Sequence, residues 1–158
     1  MTAYDPGTCT QEELRDAIPL IEKVWIPALR SGDYKQGKGR LRDSKDRFCC
    51  LGVACDLIDP NAWDQYTGCE WRCTVPGHGT YVASCALPPA LPLGHVLCTK
   101  ITPDDKIWKA AGYAGLRHPT DTSIQGLCIA LNDAGQSFEF IADFLETYAL
   151  PALKEKLS

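Results

Sequence analysis

The spacing of apolar positions along this chain changes character three times, and each change predicts a different kind of element. From Thr10 to Arg30, Leu14, Ile18, Ile21, Trp25 and Leu29 recur at helical intervals. Thr10 and Glu13 provide a capping box at the start of that run. Pro19 and Pro27 should kink or divide the helix, because each removes an amide donor and crowds the preceding turn. Ser31-Gly32-Asp33 ends it. After a polar stretch, Phe48-Cys-Cys-Leu-Gly-Val-Ala-Cys-Asp-Leu57 is apolar on every side, as a fully buried helix would be. This helix is expected from about Arg47 to Ile58, with Asp46 as its cap and Asp59-Pro60-Asn61 closing it.

Helical spacing then disappears between 63 and 101, where Gly, Pro, Thr, Val, Tyr and Cys rise. That segment predicts short antiparallel strands near 69–75, 80–87 and 94–101, the last two joined by a proline-rich turn. Helices resume with Thr102 as cap and Pro103 at the first helical position, with Ile107, Trp108 and Ala111 inward and Gly112 as terminator. Another is expected from Ser123 to Asn132, with Ile124, Leu127, Cys128 and Leu131 on one face. Gly135 breaks the chain, and Ser137 caps a last helix carrying Phe138, Ile141, Ala142 and Leu145 inward. Pro151 bends or restarts the tail. No internal repeat or low-complexity linker interrupts residues 1–158. The pattern predicts a single α+β domain of about five helices packed around a small antiparallel sheet, with the β-rich part at 63–101.

Composition narrows the functional classes. A chain of 158 residues with 45% hydrophobic and 23% charged positions can bury a core without metal or disulfide staples. A net charge of −4 argues against a general nucleic-acid binder, since phosphate neutralisation needs a basic surface. Thr74 to Thr99 carries no charged side chain, but Pro76, Pro88, Pro89 and Pro92 exclude a continuous membrane helix there. Nine cysteines follow a start with neither the basic region nor the apolar run of a signal peptide. The expectation is a reducing cytoplasm with free thiols, most of them small core residues.

Candidate chemistry concentrates in Tyr34-Lys-Gln-Gly-Lys-Gly-Arg-Leu-Arg42. Lys35, Lys38, Arg40 and Arg42 bring positive charge, and the amides of Gly37 and Gly39 can approach an anion, with Gln36 between them. Tyr34, with Trp25 and Trp71, is a candidate stacking surface. Asp33, Asp43 and Asp46 dilute the charge, and the spacing is not that of a Walker loop. An alternative chemistry uses Cys49 or Cys50 as a nucleophile at a helix N-terminus, with His95 or His78 as base and Gln36 as an oxyanion donor. An apolar helix around those thiols would instead make them inert. Cys69, Cys73, His78 and Cys85 offer zinc-ligand types, though without the paired knuckles of common zinc modules. The stretch Leu131 to Phe144 has the cadence of a helix-turn-helix, but the proline-interrupted, nearly neutral Glu146 to Lys156 is a poor recognition helix.

Three segments together, Ala28 to Arg42, Phe48 to Leu57 and Leu131 to Phe144, resemble a group of small proteins carried by bacteriophages and prophages. The resemblance covers the two ends of the chain and leaves 60 to 120 particular to it. It implies a phage gene expressed in a bacterial cytoplasm, and it carries no catalytic residues. Small accessory phage proteins act by binding, either blocking a host protein or sequestering a signalling molecule. The expectation is therefore a non-enzymatic binding protein, a counter-defence factor that captures a phosphate-bearing, nucleotide-like small molecule or blocks a host protein. Its candidate ligand residues are Tyr34, Lys35, Gln36, Gly37, Lys38, Gly39, Arg40 and Arg42. No cofactor is expected, and a homo-oligomer stays open. The cysteine hydrolase or transferase is the alternative.

Overall fold

In the computed structural model the first predicted helix runs unbroken to Arg30 but changes pitch midway. Residues 9–75, 77, 79–87, 91–113 and 122–158 are described. Helix α1 (Gln11–Leu20) begins with both halves of the capping box formed between Thr10 and Glu13. A wide turn, Ile21–Trp25, follows, and α2 (Ile26–Arg30) completes the rod before Gly32 turns the chain at φ +80°. Neither proline divides it. The Ile26 amide reaches back five residues to Ile21 O, and this wider turn stands just before Pro27, where the missing donor and the ring would otherwise break the ladder. The other end of the chain repeats the solution. After α7 (Phe138–Phe144), the wide turn Leu145–Ala149 passes the Leu150 amide to Leu145 O, and α8 (Leu150–Glu155) carries Pro151 in its first turn. Ile21, Trp25, Leu29, Leu145, Ala149 and Leu153 are all buried by these two rods.

The basic segment forms two short strands, β1 (Lys35–Gln36) and β2 (Arg47–Phe48), which pair in parallel. Helix α3 (Cys50–Ile58) follows, with every residue from Cys50 to Cys55 buried. Its cap differs from expectation. Asp46 stands outside the helix in the left-handed region at φ +62°, and Cys49 is the cap, its Sγ accepting the Gly52 amide at 3.4 Å. The apolar run is correctly a buried helix, but strand β2 takes its first residues. Gly52 is obligatory: a Cβ there would lie 1.7 Å from Leu41 O, so the basic segment's backbone presses directly on α3. Leu41, fully buried, also accepts the Cys49 amide at its carbonyl, at 3.1 Å.

Strands β3 (Trp71–Val75) and β4 (Gly79–Ala83) form the expected antiparallel hairpin, with Trp71 opposite Ala83. The third expected strand, 94–101, is not one. Helix α4 (Pro92–Val96) occupies its start, with Pro92 in the first helical turn and Leu93 and Val96 buried at helical spacing. Of this stretch only Lys100 makes a β-bridge, to Ser123. Helix α5 (Asp105–Ala110) is capped by Asp104 rather than Thr102, because Asp104 aims its carboxylate at the Ile107 amide. Helix α6 (Ile124–Asp133) and α7 start at Ser123 and Ser137 as predicted.

The first rod is the hub of the α+β fold: α1 packs on α4 and α8, and α2 packs on α7 and α3. Helix α3 rests in turn on α6. Among the described residues the sheets are two two-stranded pieces. The hairpin buries Trp71 and Ala83 while leaving Val82 exposed, so it flanks the helices more than it is enclosed by them. Among the described residues no helix is long and apolar enough to cross a membrane.

Candidate functional site

The glycine half of the basic segment is sewn to the end of α6. Asn132 is 1% exposed and is one of two buried polar side chains, with Ser123, among the described residues. Its Oδ1 accepts the Cys50 amide and Gln36 Nε2, each at 3.1 Å, and its Nδ2 donates to Gly37 O at 2.7 Å. Gln36 Nε2 also donates to Gln136 O at 2.6 Å. The Gly37 amide donates to Phe48 O at 2.7 Å, and the Gly39 amide to the Asp133 carboxylate at 3.1 Å. The two amides expected to orient an anion are therefore committed to the protein itself, as is the amide side chain expected to serve an oxyanion. Lys38 lies over Gly135, its Nζ 3.4 Å from where a Cβ on that glycine would stand. Arg40 is exposed.

The other half opens outward. Tyr34, Lys35 and Arg42 line a concavity of about 770 Å³, together with the end of α2, Phe48 and Asp56. Asp56 holds its wall: one oxygen accepts the Tyr34 hydroxyl at 2.7 Å and the other accepts Trp63 Nε1 at 2.9 Å. Phe48 sits between these rings with edge-on contacts at 5.1 Å to Tyr34 and 5.9 Å to Trp63. The Arg42 guanidinium lies 5.3 Å from the centre of Phe48 and 5.4 Å from that of Trp63, a cation–π arrangement. Asp46 accepts from Arg42 Nε at 2.8 Å. Burial, with the Asp56 hydrogen bond second, pushes the Tyr34 hydroxyl up to about 12. Lys35 and Arg42 share this lining with Asp33, Asp46 and Asp56, so the surface is mixed in charge rather than cationic. Trp25 and Trp71 do not contribute stacking faces. Both are buried in the core, donating to Cys50 O and Asp59 O.

The thiols are poorly placed for nucleophilic work. Cys49 does stand at a helix N-terminus, but burial pushes its thiol well above the ordinary range and outweighs the helical amides. Cys50 is fully buried, and its thiol is pushed up first by a hydrogen bond with Cys128 and then by burial. Its Sγ donates to Cys128 O at 3.6 Å. His95 lies on α4, with Nδ1 2.7 Å from the Glu13 carboxylate at Oε2. His78 lies outside the described residues. Of the zinc-ligand types, Cys69 donates to Thr67 O and Cys85 to Gly39 O, while Cys73 sits on β3. Among the described residues no three His, Cys, Asp or Glu groups converge to hold a metal.

The three segments that carry the sequence resemblance thus meet at one junction, where α6 and α3 grip the strand pair β1–β2. The family model described as a domain of unknown function, DUF8296, matches residues 19–149, which include this junction entire. The chain belongs to this family. No curated protein and no solved structure matches it. Sequence reading overlooked Asp56, Phe48 and Trp63 as parts of the outward face, and Asn132 as the inner anchor. Asn132 did leave a signal: it is an amide side chain ending an otherwise apolar helical face, which a buried position tolerates only with partners for both ends of the amide.

Proposed function

We propose that this protein is a non-catalytic binding module that takes a nucleotide-like small molecule in the concavity beside Tyr34. The supporting observation is the pairing, in one concavity of about 770 Å³, of two cations, Lys35 and Arg42, with the carboxylates Asp33 and Asp46. Cations suit a phosphate, and carboxylates suit ribose hydroxyls or an exocyclic base amine, so a ligand carrying both kinds of group satisfies the lining where a bare anion does not. The Arg42 guanidinium, held over Phe48, adds a flat face for a ring. The ligand residues narrow accordingly to Tyr34, Lys35 and Arg42, while Gln36, Gly37 and Gly39 position them. By the resemblance to phage-borne proteins, the module acts in a bacterial cytoplasm as a counter-defence factor that sequesters such a molecule.

The test is thermal stabilisation of the purified protein by AMP, cyclic dinucleotides and ADP-ribose, with inorganic phosphate and adenosine as half-ligands. At a ligand concentration of 100 Kd the expected stabilisation is about 2.7 kcal/mol, with neither half-ligand reproducing it. If no member of the panel raises the melting temperature, the reading is wrong.

A further inference from the structure

A second concavity of about 620 Å³ shares no lining residue with the first. Tyr66 lines it and is 96% exposed, well beyond Val82 at 55%, the next most exposed large apolar residue among those described. An aromatic ring left almost wholly in water usually belongs to a loose loop. This one does not. The Asp64 carboxylate accepts from the Tyr66 and Thr67 amides on one oxygen, and from the Thr67 hydroxyl and the Cys69 and Glu70 amides on the other. The turn is tied down further where Trp63 pairs with Trp71 and where the Arg72 amide donates to Ala62 O at 2.8 Å. The backbone that carries the phenol is thus held in place, and the ordering cost of the turn is met by folding rather than by a guest.

The lining decides which guest fits. Beside Trp63 and Tyr66 stand Asn61, Gln65, Arg72 and Thr74, a set too polar for an apolar ligand. Arg72 is the one cation in the lining, which it shares with Asp59 and Asp64, and it lies 4.0 Å from Glu70, which disfavours an anion. Both Asp64 oxygens are taken by the turn, which disfavours a cation. Amide side chains that donate and accept at once, next to the exposed Tyr66 ring, match a neutral molecule with hydroxyls on its edge and C–H groups on its face.

We propose that this concavity binds a neutral saccharide, with a sugar C–H face on Tyr66 and its hydroxyls on Asn61, Gln65 and Arg72. It is a second site, independent of the nucleotide reading.

Saturation-transfer NMR tests it, using glucose, N-acetylglucosamine, maltotriose and chitotriose at millimolar concentration. The expected result is transfer to the ring protons of at least one sugar. Tyr66→Ala removes a side chain the fold does not bury, so its melting temperature should match the parent while the sugar binds about tenfold more weakly. Asn61→Ala should weaken the sugar too, and Lys35→Ala should leave it unchanged. No transfer to any of the four sugars, or equal transfer to Tyr66→Ala, overturns the proposal.

Discussion

At Gln36–Gly39 the basic segment turns its polar groups inward, onto Asn132, Asp133 and Gln136, whereas Tyr34, Lys35 and Arg42 of the same segment face a concavity. The two parts are close in sequence and similar in composition. They differ because α6 delivers a buried amide and a carboxylate to one of them, while α2 and α3 leave the other a gap lined by Asp33 and Asp56. Glycines and cations side by side are therefore not evidence of an anion site until the partners of the amides are known. The glycine part is a seam that fixes the position of the open part.

The largest effect should come from the wall against which both parts are built. Gly52→Ala places a methyl group into Leu41 O, and because backbone opposes backbone the expected loss is about 3 kcal/mol in urea unfolding. A loss below about 1 kcal/mol would mean that the segment can lift away from α3. Next comes the seam itself. Asn132→Ala strands the Cys50 amide and Gly37 O, leaves Gln36 Nε2 with only Gln136 O, and should cost about 2 kcal/mol. If it costs no more than a change at Lys35, the contrast between the two parts is wrong.

On the open part, Tyr34→Phe removes the hydroxyl bonded to Asp56 and should cost about 1 kcal/mol. Its pH dependence sharpens the point. The folded hydroxyl titrates at about 12, above its ordinary value, so its contribution is intact below about pH 10 and is lost as pH rises from there through 12. A stability profile taken over that range should fall more steeply for the parent than for Tyr34→Phe. Lys35→Ala should be the mildest, changing stability by less than about 0.5 kcal/mol while weakening nucleotide binding about tenfold. Unchanged nucleotide affinity in that variant would remove Lys35 from the site.

Helix-forming segments were the most legible. The capping box at Thr10, the serine caps at Ser123 and Ser137 and the inward faces of α6 and α7 stand where spacing puts them, because these signals are local and need no partner. The error at 94–101 has the same root: a short apolar run beside prolines fits a strand or a single helical turn, and burial of Leu93 and Val96 chose the helix. Asp46 was a plausible cap by type, but the parallel pairing of Arg47–Phe48 with Lys35–Gln36 carried the chain past it. Of the candidate site, the three segments were visible and their meeting was not. Asp56 lies within the apolar run as its one charged residue, and only the approach of Tyr34 and Trp63 gives it a purpose.

By itself the sequence determined that α3 is buried and that Thr10, Ser123 and Ser137 cap their helices. Those are properties of single elements, fixed by side-chain size and polarity. Which amides remain free, which carboxylate faces which cation and where a cavity opens were decided only when α6 closed over the segment at 36–39. Such facts depend on groups about a hundred residues apart coming within about 3 Å, and no local pattern encodes that distance.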